Sequence, residues 1–157
     1  MSQADQLQKL MRENKLTLSC AESCTGGAIA AAMTKIPSAS DYFLGSVVSY
    51  SNDMKVDVLG VPEELIEEYG AVSSEVAQAM WQGILAIVES DYAIAVTGIA
   101  GPTGGTPKKP VGTVWAAVGR RGEEPALWNV RASGTREEII EQSIDAVLGK
   151  LYELINV

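Results

Sequence analysis

Several hydroxyl side chains precede one lysine in the stretch SASDYFLGSVVSYSNDMK, which runs from Ser38 to Lys55. The chain contains no histidine, so a hydrolytic serine would have to give its proton to another base. A neutral lysine can accept it, as in serine–lysine hydrolases. Lysine titrates near about 10.4, and its pKa must fall by about 3 units for this role near pH 7. Burial beside apolar side chains such as Val47 and Val48, or a neighbouring cation, has that effect.

The residue types alone do not select one serine from this stretch. Spacing alone favours a second interpretation, in which the hydroxyls lie on the surface and Lys55 solvates a helix, because serine and lysine are common surface residues. The serines that could act as nucleophile are Ser38, Ser40, Ser46, Ser49 and Ser51.

A second polar segment, AESCTGG (21–27), joins a predicted strand to a predicted helix. The first turn of a helix exposes free N–H groups that attract anions. Thr25, Gly26 and Gly27 are therefore candidates for binding a phosphate or a carboxylate. The alternative is a tight turn in which Ser23 and Thr25 only cap the helix. A nucleophile elbow is disfavoured, because Thr25 occupies the position of its second glycine and no histidine is available.

The third segment, TGIAGPTGGTPKK (97–109), is a long glycine-rich loop. It matches neither the Walker A pattern nor G-x-G-x-x-G. Loops of this length are commonly functional or disordered, so we expect ligand contact, although a plain surface loop is the alternative. Its hydroxyls and charges come from Thr97, Thr103, Thr106, Lys108 and Lys109.

Composition limits the classes of protein. The chain has 157 residues and a net charge of −8, which argues against binding to duplex DNA, since that needs a basic face. The N-terminal segment is too polar for a signal peptide, and no apolar run approaches the roughly 20 residues that span a bilayer. We therefore expect a cytoplasmic protein without nucleic-acid or membrane partners. Cys20 and Cys24 lack further zinc ligands, so we expect reduced thiols, no metal and no cofactor.

Hydrophobic periodicity predicts alternating strands and helices followed by a late hairpin. This order predicts one domain, residues 1–157, with a three-layer α/β/α sandwich and a mixed sheet. In such folds ligands bind outside the carboxyl ends of the strands. We predict helices at about 3–14, 26–34, 51–60, 62–70, 74–88 and 136–155, and strands at about 16–21, 44–50, 92–98, 113–119 and 126–132.

Four motifs in one order carry a resemblance to a known family. They are AESCTGG, SASDYFLGSVVSYSNDMK, GAVSSEVAQAM and TGIAGPTGGTPKKPVGTVWAAV. Together they resemble the CinA C-terminal domain family, the nicotinamide-nucleotide amidases. The resemblance implies a three-layer α/β/α fold and hydrolysis of nicotinamide mononucleotide to nicotinate mononucleotide and ammonia. It also implies a serine–lysine mechanism without a metal.

The resemblance also implies roles for individual residues. It places the nucleophile at Ser40 and the general base at Lys55, with Tyr50 and Ser23 as supporting polar groups. Arg136 corresponds to an arginine near the phosphate. The ligand-binding loop corresponds to Thr97, Gly98, Gly101, Gly104 and Gly105.

The alternative to an amidase is a non-catalytic nucleotide-binding or regulatory module that uses the same pocket. We also expect a homo-oligomer. Trp128 and Tyr152 could serve its interface, although core packing explains them equally well.

Overall fold

A five-stranded sheet forms the centre of the fold in a computed structural model, which describes residues 2–157. The strand order is β2-β1-β3-β4-β5. β1 pairs in parallel with β2 and β3, whereas β3–β4 and β4–β5 are antiparallel. The predicted mixed sheet is thus confirmed. The strands are β1 Leu18–Glu22, β2 Phe43–Val48, β3 Tyr92–Gly98, β4 Val114–Arg120 and β5 Ala126–Asn129.

Helices cover both faces of this sheet. α1, α2 and α6 pack on one face and α5 packs on the other, which gives the predicted three-layer α/β/α sandwich. Successive strand residues point to opposite faces, so Cys20 belongs to one core and Ala21 to the other. The helices are α1 Gln3–Glu13, α2 Ala28–Thr34, α3 Asn52–Asp57, α4 Glu63–Tyr69, α5 Ser74–Ile87 and α6 Arg136–Ile155.

The short helix α3 is held against the second core by the segment that follows it. Leu59 and Val61 are buried there, and the Val61 N–H donates to the Lys55 carbonyl at 3.0 Å. Gly83 of α5 permits this close approach, because a Cβ at that position would lie 2.0 Å from the Leu59 carbonyl oxygen. The packing therefore fixes where α3, and the lysine on it, meet the sheet.

The end of β5 differs from the prediction. We expected this strand to continue to about residue 132, but it ends at Asn129. Arg131 adopts a left-handed backbone with φ 55°, which interrupts an extended ladder. The predicted bounds of β3 and α6 agree with the structure. Within residues 2–157, no helix combines the length and apolar character that a membrane span requires.

Candidate active site

Lys55 lies buried where β2 ends and α3 begins, with only 1% of its surface exposed. Its Nζ is 3.1 Å from Ser23 Oγ. It also donates to the carbonyl oxygens of Ser49 at 2.8 Å and Tyr50 at 3.3 Å. No carboxylate of residues 2–157 forms an ion pair with it.

Burial lowers the pKa of Lys55 from its ordinary value of 10.5. The physical cause is desolvation, which penalises the charged ammonium more than the neutral amine. The opposing influence of the nearby Cys24 side chain is the smaller of the two. The site therefore shifts this lysine towards the form that can accept a proton.

Ser23 reaches Lys55 because the two residues follow neighbouring parallel strands. Ser23 comes directly after β1, and α3 begins a few residues after β2. The carboxyl ends of parallel strands lie at the same edge of a sheet, so their polar residues meet. Ser23 is 7% exposed, which makes its hydroxyl a shielded but reachable group.

The predicted contact between Ser40 and Lys55 is wrong. Ser40 lies exposed in a 3-10 turn, Ala39–Asp41, that precedes β2, whereas Lys55 follows β2. The six residues of that strand separate them, which corresponds to about 20 Å at roughly 3.3 Å per residue. Ser23 therefore takes the place beside the amine that the sequence assigned to Ser40.

Cys24 adjoins Ser23 in the same cavity and offers a second possible nucleophile. Burial raises the pKa of its thiol to about 11. The thiolate is the nucleophilic form of cysteine, so this side chain stays protonated and inert near neutral pH. The geometry favours the hydroxyl over the thiol.

A cavity of about 310 Å³ opens over Ser23 and Lys55. This volume lies at the lower end of small-molecule sites, which span about 300–1,000 Å³. Its walls come from the ends of β1 and β3, the start of α3, the segment before α5 and the glycine-rich loop. The lining includes Ser23, Cys24, Tyr50, Asn52, Lys55, Ala71, Val72, Thr97, Gly98, Ile99, Ala100, Gly101, Thr103, Gly104 and Arg136.

Arg136 and Tyr50 meet at the mouth of the cavity. Arg136 Nη2 donates to the Tyr50 hydroxyl at 2.9 Å, and its Nη1 donates to the Gly101 carbonyl at 2.7 Å. Arg136 is the first residue of α6, which Thr135 caps. The guanidinium thus links the loop after β3 to the residue that follows β2.

The strand–turn–helix segment after β1 contributes Ser23 and Cys24 to the cavity lining. Thr25, Gly26 and Gly27 lie outside the cavity lining. The Thr25 hydroxyl donates to the Glu22 carboxylate at 2.8 Å, which also accepts from the Ile29 N–H at 2.9 Å. An internal carboxylate therefore takes N–H groups of the first turn of α2.

Parts of the glycine-rich loop also make internal contacts. Thr97 lines the cavity, and its hydroxyl donates to the Ala71 carbonyl at 2.8 Å. Gly105 lies outside the lining, and a Cβ there would approach the Val111 nitrogen to 2.7 Å. Lys109 donates to the Tyr69 carbonyl, and Lys108 lines a separate depression.

Three contributors to the site are not among the predicted ones. Asn52 lines the cavity, the Ser49 carbonyl holds Lys55, and Glu22 organises the turn that carries Ser23. A backbone carbonyl leaves no signal in a sequence. Glu22 did leave one, because a carboxylate inside an apolar strand needs partners. Residues 2–157 hold no group of three or more histidine, cysteine or carboxylate side chains placed to bind a metal.

Comparison with known proteins identifies the family. A family model described as the CinA C-terminal domain matches residues 1–155. The chain belongs to the CinA C-terminal domain family. A CinA-like protein of Endomicrobium trichonymphae is 50% identical over 144 residues, which cover 91% of this chain and 33% of that protein. The CinA-like protein of Thermotoga neapolitana is 44% identical over 143 residues, covering 91% of this chain and 35% of that protein.

Solved structures of CinA-type proteins share the fold. The competence/damage inducible protein CihA of Agrobacterium tumefaciens has a TM-score of 0.92 and 36% identity, covering 100% of this chain and 98% of that one. The competence damage-inducible protein A of Klebsiella pneumoniae has a TM-score of 0.92 and 34% identity, covering 96% and 93%. The chain spans about a third of the curated relatives it matches, so what those longer proteins do as a whole is not transferred to it.

Proposed function

We propose that this chain hydrolyses the carboxamide of nicotinamide mononucleotide to nicotinate mononucleotide and ammonia, with Ser23 as nucleophile and Lys55 as general base. The observation that carries the proposal is the 3.1 Å contact between Lys55 Nζ and Ser23 Oγ. A buried lysine with a lowered pKa supports the role of base, because a base must be unprotonated. Membership of the CinA family and its resemblance to nicotinamide-nucleotide amidases support the choice of substrate.

The partners of Lys55 match the bonding capacity of a neutral amine. Such an amine has two N–H groups and one lone pair. The Ser49 and Tyr50 carbonyls can only accept, so they take the two N–H groups. The lone pair then remains for the Ser23 hydroxyl, which donates its proton to it. A protonated Lys55 would instead donate its third N–H to Ser23 Oγ and could not take the hydroxyl proton.

The reaction follows from this arrangement in two halves. Lys55 takes the hydroxyl proton as Ser23 Oγ attacks the carboxamide carbon, which forms a tetrahedral oxyanion. The N–H of Cys24, the residue after the nucleophile, is the candidate donor to that oxyanion. The C–N bond then breaks, and Lys55 passes its proton to the departing nitrogen, which leaves as ammonia. Water, deprotonated by Lys55, cleaves the ester and restores Ser23 while the nicotinate carboxylate is released.

Arg136 is the group that we assign to the phosphate. It lines the same cavity as Ser23 and Lys55 and forms no ion pair within residues 2–157. Its bonds to Gly101 and Tyr50 use Nη1 and Nη2, and a guanidinium carries five N–H donors. The reacting carboxamide would then enter first and the phosphate would remain at the rim.

An ammonia-release assay with three substrates tests this proposal. We expect turnover of nicotinamide mononucleotide and much poorer turnover of nicotinamide riboside and nicotinamide. Replacing Arg136→Met is expected to raise KM for the mononucleotide about 10-fold to 100-fold, the worth of a charge-assisted hydrogen bond. Its KM for the riboside should stay unchanged. Arg131→Met is the matched control, because Arg131 lies outside the cavity.

Two outcomes would contradict the proposal. Saturable binding of the mononucleotide without ammonia release would favour a nucleotide-binding or regulatory module. Equal KM changes for the mononucleotide and the riboside in Arg136→Met would remove the phosphate assignment while leaving the amidase chemistry in place.

A further inference from the structure

Glu22 is a fully buried carboxylate that the mechanism above does not use. None of its surface is exposed, and no cation forms an ion pair with it among residues 2–157. A carboxylate in such a place must be matched by hydrogen-bond donors, because desolvation of a charge without partners is costly. Four donors surround it: Thr25 Oγ1 at 2.8 Å, the Ile29 N–H at 2.9 Å, the Ala30 N–H at 3.2 Å and Ser46 Oγ at 2.7 Å.

These donors come from three separate segments. Thr25 belongs to the turn after β1, Ile29 and Ala30 to the first turn of α2, and Ser46 to the neighbouring strand β2. The carboxylate therefore ties the start of α2 and the middle of β2 to the end of β1. Ser23 is the next residue along the chain, directly after β1.

The backbone of Glu22 also contacts the segment that holds Lys55. Its carbonyl accepts from the Ser49 N–H at 2.8 Å and from Ser49 Oγ at 3.3 Å. The Ser49 carbonyl in turn accepts from Lys55 Nζ at 2.8 Å. Both members of the serine–lysine pair are thus attached to Glu22. Ser23 is joined to it by a peptide bond, and Lys55 is linked to it by hydrogen bonds through Ser49.

We propose that Glu22 is a positioning residue that holds the Ser23 hydroxyl at the Lys55 amine. This inference rests on the proposed function, since it needs Ser23 to be the nucleophile. The turn after Ser23 contains Gly26 and Gly27 with φ of 57° and 99°, positions with unusual backbone freedom. α2 has only seven residues, which is too short to hold such a turn by itself. The Glu22 carboxylate holds this turn in place through its bonds to Thr25 and Ile29.

The test compares Glu22→Gln with Asp91→Asn. Asp91 is a matched control, because its carboxylate accepts from the Thr17 N–H and Thr17 Oγ1 at the other end of the strand β1. Both changes turn a carboxylate into an amide of the same shape. The amide nitrogen at residue 22 cannot accept from the Ala30 N–H, so the turn shifts. A misplacement of about 1 Å can cost about 100-fold in rate.

Two readouts are required. The first is the rate at which a fluorophosphonate probe labels Ser23, which reports on the nucleophile without any nucleotide. The second is kcat and KM for ammonia release from nicotinamide mononucleotide. For Glu22→Gln we expect labelling and kcat to fall at least tenfold and KM to stay within twofold. For Asp91→Asn both readouts should remain within twofold of the wild type.

The outcomes separate this inference from the proposed function. Wild-type labelling rates in folded Glu22→Gln, equal losses in Asp91→Asn, or a change confined to KM would each overturn it. Absence of probe on wild-type Ser23 would overturn the nucleophile assignment and this inference together. Labelling without ammonia release would overturn only the substrate, and the labelling rates would still decide the role of Glu22. If Glu22→Gln does not fold, Ser46→Ala removes one of the four donors, and an unchanged labelling rate in that variant would overturn the inference.

Discussion

The charged groups near the two ends of the strand β2 differ in burial and in pairing. Before the strand, Arg12 and Asp41 form an ion pair of 3.3 Å with 45% and 55% of their side chains exposed. After it, Lys55 is 1% exposed, and its hydrogen bonds within residues 2–157 go to neutral oxygens. An exposed pair costs little to form and contributes little to stability. A buried amine without an anion costs free energy, and such groups cluster at functional sites.

The serines near these two ends, Ser40 before β2 and Ser23 after the neighbouring strand β1, differ in the same way. Ser40 lies exposed on a turn, where water competes for its hydroxyl. Ser23 is 7% exposed and lies against an amine whose pKa is lowered by burial. Residue type alone therefore does not identify the nucleophile. The nucleophile is identified by a neighbouring group that can remove its proton, here Lys55 beside Ser23.

The largest expected effect compares Ser23→Ala with Ser40→Ala. Loss of the nucleophile should reduce kcat for ammonia release at least about a thousandfold, because no other hydroxyl contacts Lys55 Nζ within residues 2–157. Ser40→Ala should keep kcat within twofold, since its exposed turn lies at the other end of β2. The measurement is steady-state ammonia release from nicotinamide mononucleotide. A large loss in Ser40→Ala with a small one in Ser23→Ala would reverse the comparison.

Much of the fold was accessible from the sequence because its elements carry strong local signals. The bounds of β3 follow from a continuous apolar run, and those of α6 from its apolar stripe after the cap Thr135. The end of β5 was not accessible, because nothing in the sequence specifies the left-handed backbone of Arg131. Local propensity predicts elements well and irregular backbone poorly.

The site was predicted only in part. Lys55, Tyr50, Ser23 and Arg136 do meet in one cavity, but similarity of motifs placed the nucleophile at the wrong end of β2. The rule that ligands bind at the carboxyl ends of parallel strands already pointed to Ser23, which follows a strand, over Ser40, which precedes one. The role of the Ser49 carbonyl was not predictable, because it depends on where the backbone turns.

The next effect concerns pH. If Lys55 must be neutral, kcat/KM should fall about tenfold per pH unit below the pKa of this lysine in the folded protein. Burial lowers that pKa from 10.5. The value of kcat/KM should therefore rise with pH, reach half its maximum below pH 10.5 and level off above that midpoint. A pH profile of ammonia release measures it. A midpoint at or above the ordinary lysine value would show that burial does not tune this group.

The same shift has a thermodynamic consequence of known sign. Between the lowered folded pKa of Lys55 and the unfolded value near 10.5, the unfolded chain binds more protons than the folded one. The free energy of unfolding therefore rises with pH across this window. Lys55→Met, which cannot titrate, should lack this rise. Equal pH dependence of unfolding in wild type and Lys55→Met would contradict the assigned pKa direction.

The smallest expected effect lies at the opposite end of β2. Replacing Asp41→Asn removes the anion from Arg12, yet both side chains are about half exposed, and pairs of this kind contribute at most about 1 kcal/mol. We expect a loss in the free energy of unfolding no larger than that, and a smaller one at high salt because ions screen exposed charges. Urea unfolding at low and high salt measures it. Ammonia release should stay within twofold, because neither residue lines the cavity over Ser23. A stability loss of several kcal/mol, or a loss of turnover, would mean that the two ends of the strand are energetically coupled. The exposed Arg12–Asp41 pair would then not differ in importance from the buried Lys55 amine.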